Sequence, residues 1–251
     1  NDRYFETIAM MSQQHFIKTA LAGYFVFFLI CCFFISPFRD TFYYWEWSRH
    51  LSLSYFDGPP LIAYVIRLFS LLFANSLFAL NVIGLVSVSL GSFVVYKTVM
   101  LIDKKAAWLA AALYFTAPFI NQELLSKVTY DNLVNLFWLL SLYFVVRYLK
   151  FQKTSDIYSF AIAAGLMLLS KYDGIVLLLC LLVYFLGLKE QRQVFKNPHF
   201  YAGLLLILAM FSPVLIWNAE NHWISFKYQL SDHRLGVIAY SKGVVAYQTK
   251  A

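Results

Sequence analysis

RDTFYYWEWSRHLSLSYFDGPPL, residues 39–61, separates the first long apolar run of this 251-residue chain from the second. The stretch combines two Asp, one Glu, one His and two Arg with a dense block of aromatic residues. Ionisable residues are costly inside a bilayer, so this stretch is a poor candidate for a membrane span. We interpret it as a reactive loop on a membrane surface, which the neighbouring apolar segments hold over a lipid-borne substrate.

The composition of the chain predicts a membrane protein. Hydrophobic residues make up 61% of the chain and charged residues 13%, whereas a soluble domain is roughly half apolar and about a quarter charged. The mean hydropathy is +0.65, and a soluble fold would leave too much apolar surface in water. The apolar runs are long enough for helices. The predicted class is therefore an all-α, polytopic integral membrane protein.

The apolar runs predict about seven transmembrane helices, since one span needs roughly 20 residues. The predicted spans cover residues 16–38, 77–102, 106–120, 133–149, 157–170, 175–188 and 200–217. Residues 61–73 form a shorter run that suits an interfacial or partly embedded helix. We expect residues 1–251 to form a single transmembrane domain, in which residues 39–75 are an outer loop that contains interfacial helices.

The distribution of basic residues predicts the orientation. Three of the turns between spans carry nine basic residues: Lys97, Lys104, Lys105, Arg147, Lys150, Lys153, Lys189, Arg192 and Lys196. The positive-inside rule places these turns and the N-terminus in the cytoplasm. Residues 39–61, 121–132, 171–173 and 218–234 then share the extracytoplasmic face. Because the net charge of +7 is explained by these turns, we do not expect a nucleic-acid partner.

Two carboxylates are candidate catalytic residues. Asp40 follows the first span and is either a general base at the mouth of a cavity or a solvated charge at the membrane boundary. Asp131 begins the fourth span and is either a helix cap or a second acidic site residue that faces Asp40. If the two meet, their oxygens could hold a divalent cation, although no cofactor is clearly indicated.

Several cations are candidate ligands for a lipid phosphate. Residues 42–56 predict an amphipathic helix, which either simply lies at the interface or presents Arg49 and His50 to a phosphate. Lys171 interrupts an apolar region, and it either pairs with Asp131 or Asp173 or binds a phosphate. Asp57 precedes Gly58 and two prolines, where it marks a turn and could cap the next helix.

Four stretches, in order, resemble one known family: DTFYYWEWSRHLSLSYFDGPPLIAYVIRL from residue 40, KVTYDNLVNLFW from residue 127, GLMLLSKYDGIVLLL from residue 165 and FSPVLIWNAENHWISFKYQLSDHR from residue 211. They are similar to the bacterial dolichyl-phosphate-mannose-protein mannosyltransferase-like family. Its members, to which the lipid A aminoarabinose transferase is related, are glycosyltransferases of the GT-C fold that use polyprenyl-phosphate sugars.

The resemblance implies the N-terminal part of a GT-C fold in the bacterial inner membrane, with a site that faces the periplasm. It implies inverting transfer of a sugar from a polyprenyl phosphate to a hydroxyl of lipid A, another envelope glycan or a protein. Asp40 matches the family's base and Asp131 its second carboxylate. Arg49, His50, Lys171 and Arg234 are then candidates for binding the donor phosphate.

Two positions depart from the family pattern. Thr41 stands where relatives usually carry Glu, and Gly58 stands where they usually carry His or Lys. The relatives are also roughly twice as long. These departures keep open a non-catalytic lipid-binding or assembly protein derived from the same fold. A transporter is a third hypothesis, which the absence of a visible internal repeat disfavours.

Overall fold

A computed structural model describes residues 2–117 and 127–230, and this part of the chain is helical. Its α-helices are α1 (Asp2–Cys31), α2 (Arg39–Arg49), α3 (Leu61–Leu72), α4 (Leu77–Ile102), α5 (Ala107–Thr116), α6 (Tyr130–Phe151), α7 (Thr154–Ser170), α8 (Ile175–Gly187), α9 (Pro198–Glu220) and α10 (Ile224–Leu230). Two 3₁₀ segments, Tyr172–Gly174 and Lys189–Lys196, flank α8. The predicted all-α class is confirmed.

Four of these helices are long and apolar enough to cross a membrane: α1 within Gln14–Cys31, α4, α6 and α9. A fifth span is possible if α8 and Lys189–Lys196, which bend by 111°, are one broken span. A polytopic membrane protein is confirmed, and by length and composition the described residues contain four or five candidate spans where about seven were predicted. Helices α5 and α7 contain 10 and 17 residues, which is fewer than the roughly 20 residues that one span needs.

Small residues allow close packing between the later helices. Helix α6 packs against α7, and α7 packs against α9. Where α7 meets α9, a Cβ on Gly165 would lie 2.6 Å from Met210 Sδ. Ala161 and Ala164 in the same interface are fully buried. Small residues at such positions let helix backbones approach in a membrane, where packing contributes to helix association.

The C-terminal end of α1 is fixed to α4 by hydrogen bonds. The Asn81 side-chain amide donates to the backbone oxygens of Cys32 and Ile35, at 3.0 and 2.8 Å. Carbonyl groups at a helix C-terminus lack intrahelical partners. Asn81 is buried, so these bonds satisfy a polar side chain as well as the end of the helix that leads into the first polar loop.

The first polar loop folds onto the helices through aromatic side chains of α2. Tyr44 and Trp47 are buried in a cluster with Ile62 and Ile66 of α3. The predicted amphipathic character is confirmed for this helix, since Glu46 and the residues at its C-terminal end are exposed.

The predicted range of this helix, residues 42–56, is wrong, because α2 covers Arg39–Arg49. The Tyr55 hydroxyl lies 3.0 Å from the carbonyl oxygens of both Trp47 and His50. Its ring stacks on the Trp47 ring at 4.1 Å. The single Tyr55 hydroxyl donor is therefore shared by the carbonyl groups at the end of α2 from outside the helix, and Leu51, just beyond that end, is exposed.

Candidate active site

The start of α6 lies against α2. The backbone N–H of Val128 donates to Thr41 Oγ1 at 3.0 Å, and the rings of Tyr44 and Tyr130 are 5.2 Å apart. Thr41 is fully buried. Thr41, one of the two residues that depart from the family pattern, therefore anchors the segment that leads into α6.

The loop that follows α2 reaches the two later polar segments. Ser54 Oγ lies 3.5 Å from the Tyr172 hydroxyl, and Gln229 Nε2 donates to the backbone oxygen of Asp57. The rings of Phe56 and Tyr228 are 4.8 Å apart. The described parts of the four polar segments thus lie at one end of the molecule, as predicted. The side of the membrane that this end faces stays a prediction.

An ion-pair cluster lies at this end, formed by Tyr130, Asp131, Lys171 and Asp173 and here called the Lys171 cluster. Lys171 Nζ is 2.8 Å from Asp131 Oδ1 and 3.2 Å from Asp173 Oδ2. It also lies 4.7 Å from the centroid of the Tyr130 ring, within the range of a cation–π contact. Lys171 therefore pairs with both of the carboxylates that the sequence offered as partners.

The first turn of α6 positions Asp131. The Thr129 side chain caps α6 and forms a capping box with Asn132, so the expectation that Asp131 is itself the cap is wrong. Asp131 lies in the first helical turn, where the positive end of the helix dipole favours a carboxylate. Its side chain is 28% exposed, so this end of the ion pair is accessible to a bound molecule.

The pKa of Lys171 is raised above its ordinary value. Burial alone would lower this pKa, but the hydrogen bond and the charge of Asp131, with the neighbouring Tyr130 and Asp173, outweigh that effect. The structure therefore keeps a positive charge on Lys171 at neutral pH. A fixed ammonium of this kind is suited to binding an anion such as a phosphate.

Asp57 is a partly buried carboxyl group whose importance the sequence did not reveal. The Tyr43 hydroxyl donates to Asp57 Oδ1 at 3.2 Å. Burial raises the pKa of Asp57 to about 6, against the lowering effect of the Tyr43 hydrogen bond. The expectation that Asp57 caps the next helix is wrong, because Pro60 occupies the cap position of α3 and no side chain caps that end.

Asp40 lies in the first turn of α2 and is exposed. It forms no hydrogen bond or ion pair with any residue in 2–117 or 127–230. Its neighbour Thr41 contacts Val128 just before α6, so Asp40 belongs to the same end of the molecule as Asp131. Nothing in these contacts joins the two carboxylates, and their roles as catalytic residues stay predictions.

The remaining predicted phosphate ligands do not join the Lys171 cluster. Arg49 and His50 end α2, about 14 Å along the helix from Asp40 at 1.5 Å per residue. Arg49 stacks over Trp45 at 5.0 Å, and His50 lies 3.4 Å from Glu46. Arg234 lies outside the described residues.

The possible cation at Asp40 and Asp131 has no support from a ligand cluster. No three His, Cys, Asp or Glu side chains within residues 2–117 and 127–230 come together in a way that could hold a metal ion.

Tyr172, which lies between Lys171 and Asp173 in the chain, connects several segments. Its hydroxyl is 2.8 Å from Ser225 Oγ of α10, and its ring lies 5.0 Å from that of Phe226. Sequence reasoning missed this residue. The only available signal was a tyrosine directly beside an ionisable residue in an otherwise apolar region.

Tyr172 also lines an apolar cleft of about 820 Å³ between α6, α7, α8, α9 and α10. Tyr172 and Gln229 line one end of this apolar cleft, and Asp156 and Val194 line the other. The Lys171 cluster therefore lies beside one end of a hydrocarbon-lined space. The arrangement can bind an anionic group near an apolar chain.

The profile of the dolichyl-phosphate-mannose-protein mannosyltransferase family matches residues 57–217. The matched range contains Asp57, Asp131 and Lys171, whereas Asp40 and both basic residues at the end of α2 precede it. The chain is also 24% identical over 188 residues to the lipid A galacturonosyltransferase RgtD of Rhizobium johnstonii.

That match covers 73% of the chain and 39% of the length of the relative. No solved structure matches the chain significantly. The family profile extends from the first polar loop through α9 and so covers well over half of the chain. The chain therefore belongs to the dolichyl-phosphate-mannose-protein mannosyltransferase family.

Proposed function

We propose that the protein is a membrane glycosyltransferase that moves a sugar from a polyprenyl-phosphate donor to a hydroxyl acceptor at the periplasmic face of the bacterial inner membrane, with inversion. The observation that carries this proposal is the Lys171 cluster, which lies where four polar segments meet and beside the apolar cleft. Family membership and the relative's printed activity on lipid A support the same reaction class.

The transfer needs a base for the acceptor and positive charge for the leaving phosphate. Asp40 is our candidate base, because an exposed carboxylate without a cationic partner among the described residues can accept a proton. The acceptor oxygen attacks the anomeric carbon as its proton passes to Asp40. The bond to the phosphate oxygen breaks on the opposite face, which inverts the configuration.

Lys171 is our candidate for the charge that stabilises the departing phosphate. Asp131 holds Lys171 Nζ at 2.8 Å, so we assign Asp131 the role of orienting Lys171 rather than that of a second base. Arg49, His50 and Arg234 stay candidate phosphate ligands without support from a described contact.

The Asp40→Asn variant tests the proposed base. Its amide keeps the shape of the side chain but cannot accept the acceptor's proton. We expect transfer from a radiolabelled polyprenyl-phosphate sugar in membranes to fall by about 10²–10⁴-fold, the usual contribution of a general base. Asp103→Asn, in the turn after α4, is the matched control and should keep its activity. Transfer retained by the inserted Asp40→Asn variant overturns this assignment.

A second candidate function is a lipid-binding protein without catalysis. The observation that favours it is the pairing of Lys171 with two carboxylates, which gives the cluster a formal net charge that is negative rather than positive. Equilibrium binding of polyprenyl phosphate by the purified chain, measured beside sugar turnover under the same conditions, separates the two functions. Binding without turnover supports the lipid-binding protein, and turnover excludes it.

A further inference from the structure

Two segments rich in basic residues adjoin the end of the apolar cleft away from the Lys171 cluster. The 3₁₀ segment Lys189–Lys196 turns back by 111° from α8. It buries Val194 in a cluster with Val145 and Phe185, and Val194 and Tyr148 line the cleft. The segments 147–156 and 189–196 therefore form this end together.

Six basic residues belong to these two segments, here called the basic mouth: Arg147, Lys150, Lys153, Lys189, Arg192 and Lys196. The acidic residues of the same segments are Asp156 and Glu190. Asp156 is almost completely buried and pairs with Arg147 at 3.3 Å. The basic mouth thus keeps a clear excess of positive charge at the entrance to an apolar space.

Two of these basic side chains donate hydrogen bonds to backbone oxygens. Arg192 Nε donates to the backbone oxygen of Leu186 at 2.8 Å, while a guanidinium has further N–H donors for a ligand. Lys150 Nζ donates to the backbone oxygen of Leu101. On the facing side, the Tyr158 hydroxyl is 2.8 Å from His199 Nδ1, which joins the starts of α7 and α9.

The dimensions of the cleft fit a hydrocarbon chain. Lining residues of α9 recur every three or four positions between Phe200 and Leu215, a length of about 22 Å at 1.5 Å per residue. The hydrocarbon core of a bilayer is roughly 30 Å thick. An extended acyl chain that starts at the basic mouth can therefore run along most of the cleft.

We propose that the apolar cleft holds one acyl chain of an anionic membrane phospholipid, whose phosphate lies at the basic mouth. Basic pockets between transmembrane helices are known to recognise anionic headgroups. The donor lipid proposed above would place its phosphate at Lys171, at the other end of the cleft. The charge at the basic mouth therefore favours a separate, bound phospholipid, and this inference does not depend on the proposed sugar transfer.

Leu208 and Leu205 of α9 provide a matched pair of variants for the acyl-chain site. Leu208 lines the cleft, whereas Leu205 is outside it, and both are exposed. The purified 251-residue chain is reconstituted in nanodiscs of mixed phosphatidylglycerol and phosphatidylcholine, and its retained lipids are measured by native mass spectrometry. We expect Leu208→Trp to retain at least fivefold less phosphatidylglycerol than the parent chain and Leu205→Trp to retain as much.

The headgroup site is tested with Arg192→Gln combined with Lys196→Gln. The control combines Lys104→Gln with Lys105→Gln, two exposed residues of the turn between α4 and α5. We expect the preference for phosphatidylglycerol over phosphatidylcholine to fall roughly fivefold for each lost charge at the basic mouth. The control should keep the parent preference.

Any of the following results overturns the inference: equal retention by both tryptophan variants, no preference for phosphatidylglycerol in the parent chain, or stoichiometric displacement of phosphatidylglycerol by polyprenyl phosphate. The inference is also overturned if the parent chain forms a dimer and Leu208→Trp abolishes that dimer, because a second copy of the chain would then cover the cleft. Lipid retention is measured without any sugar transfer. The result can therefore be interpreted even if the glycosyltransferase proposal fails.

Discussion

Lys171 Nζ lies 2.8 Å from Asp131 Oδ1 and joins the turn between α7 and α8 to the first turn of α6. The two residues are 40 positions apart in the chain. Both side chains are slightly more than a quarter exposed. The pair is therefore well placed to respond to a bound anion, and it contributes little to stability compared with a deeply buried pair.

Lys171→Gln should separate function from stability. We expect sugar transfer to fall by about 10²–10³-fold, as when one electrostatic donor to a developing charge is removed. The melting temperature in detergent should change only slightly, because a partly exposed ion pair contributes at most about 1 kcal/mol. Lys105→Gln, in the turn between α4 and α5, is the control. Normal transfer by folded Lys171→Gln would contradict the proposed role.

Asp57 should make stability depend on pH. Burial raises its pKa from 3.8 to about 6, so the folded state binds more protons than the unfolded state between these values. Stability should therefore decrease as the pH rises through this window and level off above it. Asp57→Asn should remove this step in melting temperatures measured from pH 4 to pH 8. If the variant keeps the step unchanged, the pH dependence belongs to another titrating group. Asp103→Asn is the control.

Tyr172→Phe should loosen α10 while leaving the aromatic packing in place. The variant loses the hydroxyl contact of 2.8 Å with Ser225 but keeps the ring next to Phe226. One lost hydrogen bond corresponds to about 1 kcal/mol. Hydrogen exchange should become faster in residues 224–230 and stay unchanged in α4. Tyr184→Phe in α8 is a control, and equal exchange in both variants would refute the proposed contact.

Gly165→Ala should destabilise the interface between α7 and α9. The added Cβ would lie 2.6 Å from Met210 Sδ and 3.0 Å from Met210 Cβ, and only the far end of that side chain can move easily. Overpacking of this kind costs about 1–3 kcal/mol. The melting temperature should fall, whereas Gly187→Ala should have little effect because nothing lies within 4 Å of its added Cβ. Equal melting temperatures would exclude close packing at Gly165.

The sequence was informative where the signal is local. Mean hydropathy and the length of the apolar runs determined the helical membrane class, since a lipid-facing backbone must satisfy its own hydrogen bonds. The charge pattern grouped the polar segments correctly at one end. The same local signals failed at the end of α2, which lies at Arg49 rather than at residue 56. Tyr55, which binds the end of α2 from outside the helix, has no signature in the sequence.

The tertiary structure alone decided which polar residues meet. Arg49, His50 and Lys171 were equivalent candidates in the sequence, yet only Lys171 packs between carboxylates. The sequence marks Asp57 only as a turn residue, whereas the folded structure makes it a partly buried carboxyl group in contact with Tyr43. Composition and periodicity act over a few residues and so determine the elements. Distances between side chains depend on how helices far apart in the chain pack together, and this packing is not encoded in any single stretch.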